Sequence, residues 1–220
     1  MNEALPLSVR RILIVGAGGF GREVLHWART AWPHQAAMIA GFLAADGGTV
    51  VGRTRPLPIL ADPGDFAPEP DDALILAIGI PGVRRRVAEN LLARNATFVT
   101  VVHPTAVVAD TAVIGRGSVI CPGAVVSDAA RVGRFGIVNY HASLAHDACI
   151  GDFAVLSPYA ALGGGAEIGA DAFLGLHAAV GPGVSIGPRS KVSAGAAALA
   201  DVPADSLAYG VPARIGPLLP

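Results

Sequence analysis

The chain has 220 residues, 28 of them glycine; 15% are charged, 52% are apolar, and the net charge is −1. So little charge with so much apolar material excludes disorder, and the longest apolar stretches, such as Ala36 to Ala45, fall short of the ~20 residues that cross a bilayer. A near-neutral chain offers nucleic acid no long-range attraction, and its two cysteines, Cys121 and Cys149, support neither a disulfide framework nor a zinc knuckle.

Met1 to Arg11 lacks the basic-then-apolar layout of a signal peptide, so a cytoplasmic protein is expected. Residues 1–100 then read as strands alternating with helices. Arg11–Gly16 (RILIVG) is a short β-branched run, a buried-strand signal. A helix follows, with Val24, Leu25, Trp27 and Ala28 on one face. Ala37–Leu43 reads as a second strand, Thr49–Pro70 as mostly loop because of its Pro and Gly, and Ala73–Gly79 as a third strand. Pro81–Asn95 reads as a helix with Pro in its first turn, and Phe98–Val102 as a fourth strand. This alternation predicts a small Rossmann-like parallel α/β domain.

Residues 101–199 follow a different rule. Every sixth residue from Val102 to Val192 is Val, Ile or Leu, at sixteen successive positions. The residue two before each, from Ala106 to Ser190, is Ala, Ser or Gly except at Val184. Gly follows the aliphatic at Gly115, Gly133, Gly151, Gly169 and Gly187, a spacing of 18. Six residues make one short strand and a corner, and three such units close a triangular coil. The aliphatic side chains are expected to fill the prism and the small residues to fit its corners. About five coils, ~4.8 Å apart, give a prism roughly 25 Å tall. This is the hexapeptide β-helix, an architecture whose hand is left. Residues 200–220, rich in Pro and Gly, are expected to form an extended loop or cap.

Gly16-x-Gly18-x-x-Gly21 lies between a strand and a helix, where bare glycines let a diphosphate approach backbone N–H groups and the positive helix end. Gly18, Gly19 and Phe20 are its central residues. The plainer possibility is that these glycines only permit a tight turn. A dinucleotide site wants an acidic residue about 20 positions on, at the end of the second strand. That strand ends in Ala44-Ala45 with Asp46 just after, so a diphosphate ligand other than NAD is favoured. Gly79 ends the third strand at the same edge, and Arg84 nearby is a candidate phosphate contact, although a solvated helix Arg is commoner.

In the repeat, His146-Asp147 follows the irregular segment Asn139-Tyr140-His141. An imidazole beside a carboxylate suits a general base, because the carboxylate fixes the tautomer. Strand neighbours point to opposite faces, so Asp147 serves only if a corner turns it toward His146; otherwise the partner is a carboxylate across a subunit boundary. A metal site is the rival use. Gamma-type carbonic anhydrases share this prism and use a His pair five apart, as His141 and His146 are, with a third His two coils upstream. Here that position is Thr105, and His177 lies two coils, about 9.5 Å, from His141, too far to share one ion. No metal is therefore expected.

In their order, GAGGFGREV at Gly16–Val24, AIG at Ala77–Gly79, HPTAVV at His103–Val108, His146-Asp147-x-Cys149-x-Ile150-Gly151, FLG at Phe173–Gly175 and the terminal GVPAR resemble one family. It comprises NeuD-like sialic-acid O-acetyltransferases and PglD-like nucleotide-amino-sugar N-acetyltransferases. The resemblance implies a homotrimer with active sites between prisms, a nucleotide sugar held by the first domain, and acetyl-CoA along the second. It implies His146 as general base with Asp147 beside it, and Asn139 near the acceptor. It places Gly164, Leu176 and Ala194 along the pantetheine arm and Arg214 near the CoA nucleotide. His141 is outside the general family pattern and would be a local substrate contact, as would His177. Members that read a uridine nucleotide can carry an acidic pair where this chain has Ala44-Ala45. The implied reaction is direct acetyl transfer to a sugar amine, with O-acetylation as the alternative and a carbonic-anhydrase-like metal protein as the more distant one. Cys149 is expected in the core rather than as a nucleophile.

Overall fold

The structure is a computed structural model that describes residue 5 and residues 8–45, 48–50 and 57–218. It divides into two compact units, one ending at Val101 and the other beginning at Val102.

The first unit is a five-stranded sheet in the order β3-β4-β2-β1-β5. Its strands are β1 (Arg11–Val15), β2 (Ile39–Leu43), β3 (Gly48–Val50), β4 (Leu57–Ala61) and β5 (Asp72–Leu76). All pairings are parallel except β3 with β4. Ile12, Leu13, Ile14 and Val15 are fully buried, as a central strand requires. Helix α1 (Gly19–Ala31) buries Gly21, Val24, Leu25 and Ala28, and helix α2 (Pro81–Leu92) buries Ala88 and Leu91. Strand order reverses across β1, with β2 on one side and β5 on the other. Open α/β sheets bind ligands at such a switch point, outside the carboxyl ends of the strands.

Two readings change here. The stretch Thr49–Pro70, read as mostly loop, contains β4, which pairs on both sides. Pro58 supplies no N–H, yet it packs within β4 opposite Thr49; tertiary pairing overrides the turn-like composition. The expected strand Phe98–Val102 is only a single bridge from Phe98 to Leu74, and Val101–Val102 instead opens the repeat as β6. Asp46 lies outside the described residues.

From β6 to β22 (Ala197–Ala198) the chain makes seventeen two-residue strands, one every six residues. They form three parallel sheets, the faces of a prism, with partners 18 residues apart, as in Arg131, Cys149 and Glu167. The second residue of each strand points inward, and Val126, Val138, Leu144, Leu156 and Leu174 are fully buried.

The small residues are not in the corners. Ala124, Ala130, Ala142, Ala148 and Ala154 are fully buried inside the prism, beside the aliphatic columns. The sharp turn is made by the residue before each of them, with φ between 55° and 62° at Ala129, Phe135, His141, Asp147, Phe153, Tyr159, Asp171, His177 and Arg189. Gly117, Gly123, Gly165, Gly183 and Gly195 hold the same position at φ 65° to 74°, but the other nine carry a Cβ that the left-handed region disfavours. The glycines spaced by 18 serve another purpose: a Cβ on Gly133 would lie 2.5 Å from the Asp152 nitrogen of the next coil. Side chains at the turning position stack coil upon coil. Phe135 and Phe153 are 4.9 Å apart, and His141, Tyr159 and His177 form a three-ring column at 5.1 and 4.8 Å.

Residues 200–218 carry more regular structure than an extended loop. Strand β23 (Ser206–Tyr209) adds in parallel to β21 (Lys191–Val192), and β24 (Arg214–Pro217) returns antiparallel beside it.

Candidate active site

His146 and Asp147 sit in the corner between β13 (Ser143–Leu144) and β14 (Cys149–Ile150). The left-handed turn at Asp147 (φ 61°) brings its side chain beside its neighbour's, which a flat strand does not allow. His146 Nδ1 lies 2.9 Å from Asp147 Oδ2, and the two side chains are 70% and 68% exposed. An ionised carboxylate only accepts, so Nδ1 carries the hydrogen and Nε2 keeps a free lone pair. That answers the question left open by the sequence: the dyad forms within one chain. The corner is pinned to both adjacent coils, since Asp147 N–H donates to Asp128 O at 3.0 Å and Gly165 N–H to His146 O at 2.9 Å. The imidazole lies against Gly164, where a Cβ would be 2.6 Å from Nε2. The N–H of Gly164 itself has no hydrogen-bond partner among the described residues.

His141 is elsewhere. It occupies the preceding corner, between β12 (Ile137–Val138) and β13, so His141 and His146 flank opposite edges of one prism face. Asn139, in the same corner as His141, accepts the N–H of Tyr140 at 2.8 Å. Leu176 and Ala194 share that edge one coil apart, with Gly195 N–H donating to Leu176 O at 2.7 Å. Gly164 belongs to the His146 edge, so the residues expected around acetyl-CoA divide between both edges of the face. Arg214 opens β24 and is exposed. Along the face itself, the outward residues Val107, Val125, Ser143, Ala161, Ala179 and Ala197 are all small or apolar and uncharged. Among the described residues no three His, Cys, Asp or Glu gather as a metal group.

Cys149 does not lie in the core. It points outward between Arg131 and Glu167, and partial burial, followed by the Glu167 charge, pushes its thiol pKa up. A thiol held protonated is a poor nucleophile.

In the first unit, Gly16 and Gly21 are required by packing. Gly16 has φ 111°, a Cβ on it would lie 2.6 Å from Ala77 O, and a Cβ on Gly21 would strike Gly16 O. The turn reading accounts for those two. It does not account for Gly18 or Gly79, over which nothing lies within 4 Å. Gly18 caps α1 without a side-chain bond, and the first intrahelical bond runs from Arg22 N to Gly18 O at 3.1 Å. The N–H groups of Gly19, Phe20 and Gly21 therefore precede the helical ladder, at the positive end of the helix. Phe20 packs edge-on against Trp27.

Arg84 is fully buried, and its Nη1 donates to Leu76 O at 2.6 Å and Ile78 O at 3.1 Å. It holds the end of β5 from beneath rather than standing in solvent. A cavity of about 430 Å³ opens at the carboxyl edge of the sheet, lined by Gly16, Ala44, Asp62, Ile78, Arg86 and Asn90 among others. Arg86, not Arg84, is the cation on this cavity, and it has no partner among the described residues. Sequence reasoning missed Asp62, Arg86 and Asn90; the only signal was the i, i+4 spacing that puts Arg86 and Asn90 on one face of α2.

The chain matches the PglD N-terminal domain family over residues 11–91. It is 36% identical over 115 residues to UDP-N-acetylbacillosamine N-acetyltransferase of Bacillus subtilis, a match that spans 51% of each chain. PerB from Caulobacter crescentus, solved in complex with CoA and GDP-perosamine, is 32% identical with a TM-score of 0.84, covering 94% of this chain and 97% of PerB. The acetyltransferase domain of PglB from Neisseria gonorrhoeae, in complex with acetyl coenzyme A, is 28% identical with a TM-score of 0.84, over 94% of this chain and 98% of that domain. With its parallel sheet domain, its left-handed β-helix and near-complete overlap with these enzymes, the chain belongs to the family of PglD-like nucleotide-sugar N-acetyltransferases.

Proposed function

We propose that this chain transfers the acetyl group of acetyl-CoA to the amino group of a nucleotide-linked amino sugar. The observation that carries the reading is the His146–Asp147 pair, with Nε2 free and a bare glycine N–H beside the ring. The sugar amine attacks the thioester carbonyl while His146 Nε2 removes its proton. The N–C bond forms, the C–S bond breaks, and the thiolate of CoA leaves and takes up a proton. The Gly164 N–H is placed to stabilise the oxyanion. Asp147 holds the tautomer and balances the imidazolium that forms. The protein works as a homotrimer: the small, uncharged face suits a neighbouring prism, and Gly164 on one edge meets Leu176 and Ala194 on the opposite edge of the next copy. The first unit holds the nucleotide at Gly18, Gly19, Phe20 and Gly79.

The test is thiol release from acetyl-CoA with a panel of UDP-, GDP- and dTDP-linked amino sugars. The product should resist mild base, as an amide does and an acetate ester does not. His146→Ala should lower turnover by about 10²–10⁴-fold with acetyl-CoA binding intact. Near-wild-type turnover of that variant would remove His146 from the mechanism.

A further inference from the structure

The cavity at the carboxyl edge of the sheet holds a side-chain set that a diphosphate does not need. Asp62, at the end of β4, accepts the N–H of Gly64 with Oδ1 at 2.6 Å, closing a tight turn. That turn uses one oxygen. Oδ2 has no partner among the described residues, and the side chain lines the cavity. Across from it, Asn90 has its carbonyl oxygen taken by Arg94, so its amide N–H groups remain to donate. Arg94 is in turn anchored to Pro63 O and Phe66 O, both at 2.6 Å, which fixes the Asp62 loop against α2. Arg86 adds an unpaired guanidinium, and the walls include Leu43, Ala44, Ile78 and Val87. The cavity is therefore lined by one carboxylate and two donor side chains between apolar walls.

From Gly16 on β1 to Asp62 on β4 is two strand spacings, about 10 Å. That is the order of the separation between the diphosphate and the base of a nucleoside diphosphate. Resting on the nucleotide-sugar reading above, we infer that this cavity takes the base and that Asp62 selects guanine. Guanine presents two adjacent donors, N1–H and N2–H, to which a carboxylate's two oxygens pair, Oδ1 through the lone pair that the Gly64 N–H leaves, and its O6 accepts from Asn90 or Arg86. Uracil and thymine offer one N–H flanked by two carbonyls, which set oxygen lone pairs against the carboxylate. Adenine offers one amino group beside a ring nitrogen that only accepts. The Ala44-Ala45 pair leaves Asp62 as the carboxylate on the lining of this cavity.

The experiment is calorimetric titration of GDP, IDP, UDP and dTDP into the wild-type chain and Asp62→Asn. IDP differs from GDP only in lacking the N2 amino group. Asn keeps an oxygen for the Gly64 N–H, and a melting curve without nucleotide checks that the variant is folded. The wild type should bind GDP about 10–100-fold more tightly than IDP, UDP or dTDP, the loss expected for one charge-assisted pair. In Asp62→Asn the GDP advantage over IDP should vanish. Equal GDP and IDP affinity in the wild type overturns the assignment, as does a UDP or dTDP preference or a GDP advantage that survives in the variant. Failure of all four to bind also overturns it, and that result alone strikes the nucleotide-sugar reading as well.

Discussion

Replacing Gly164 with alanine tests how the His146 ring is held. A Cβ built on Gly164 lies 2.5 Å from Cε1 and 2.6 Å from Nε2 of His146. Ordinary contact between such atoms is about 3.5–4.0 Å, so the ring must retreat by roughly 1 Å. The ring is 70% exposed and free to swing outward, so relief is inexpensive for the fold. Gly164 is not in the left-handed region, so alanine suits its backbone, and the melting temperature should stay within a few degrees. Catalysis should suffer instead, because a misplacement of about 1 Å can cost 10²-fold. The assay is steady-state thiol release with acetyl-CoA affinity measured separately, and the expected result is a fall in kcat of about 10²-fold in a folded protein. Unchanged kcat would show that the ring does not work from the position described, and a collapse in stability would show that Gly164 serves the prism first.

Three further outcomes follow from other contacts. Asp147→Asn should reduce kcat less than His146→Ala and shift the pH profile of kcat, because the amide no longer favours one imidazole tautomer or balances its charge; an unmoved profile would count against the dyad. At Asp72, burial opposes ionisation, but Arg11 at 2.6 and 2.8 Å and the Glu69 N–H outweigh it and hold the carboxyl below its usual range. Its stabilising contribution is therefore complete above about pH 4 and is lost as pH falls through the lowered value, so acid unfolding should set in less steeply in Asp72→Asn; identical acid curves would refute this. Tyr159 stacks between His141 and His177 at φ 62°. Tyr159→Ala keeps the backbone strain and loses both stacks, for about 1–2 kcal/mol, whereas Tyr159→Gly also releases about 1 kcal/mol of strain. Denaturant unfolding should rank glycine above alanine, and the reverse order would mean that the corner is unstrained.

The prism was legible because a period of six repeated from Val102 to Val192 has no helical or meandering interpretation. Its corner chemistry was not. The turning position is Gly at 117, 123, 165, 183 and 195 but Ala, Phe, His, Asp, Tyr or Arg elsewhere, so no single residue type marks it, and the small-residue column that looked like the corner is interior lining. The contact of His146 with Asp147 stayed undecided for the same reason, since it depends on the φ of one residue. Arg84 and Arg86 are two positions apart on one helix, and only packing sends the first under the sheet and the second to the cavity. β4 was hidden by Pro58, whose presence in a paired strand is a tertiary outcome.

The register of the coils sets a rule for how this chain can change length. Each edge is a row of sites 18 residues apart in sequence and one strand spacing apart in space. An insertion of eighteen residues between Val126 and Leu144 would raise His146 by one rung and leave it on its own edge. An insertion of six would carry every later group to the next edge, a third of a turn away, and His146 would then stand on the edge next to its own. A number that is not a multiple of six would put polar residues inside the prism. The working parts of the second unit are thus fixed on a lattice with a step of about 4.8 Å along the axis and 120° around it. A change of length there preserves function only in whole coils.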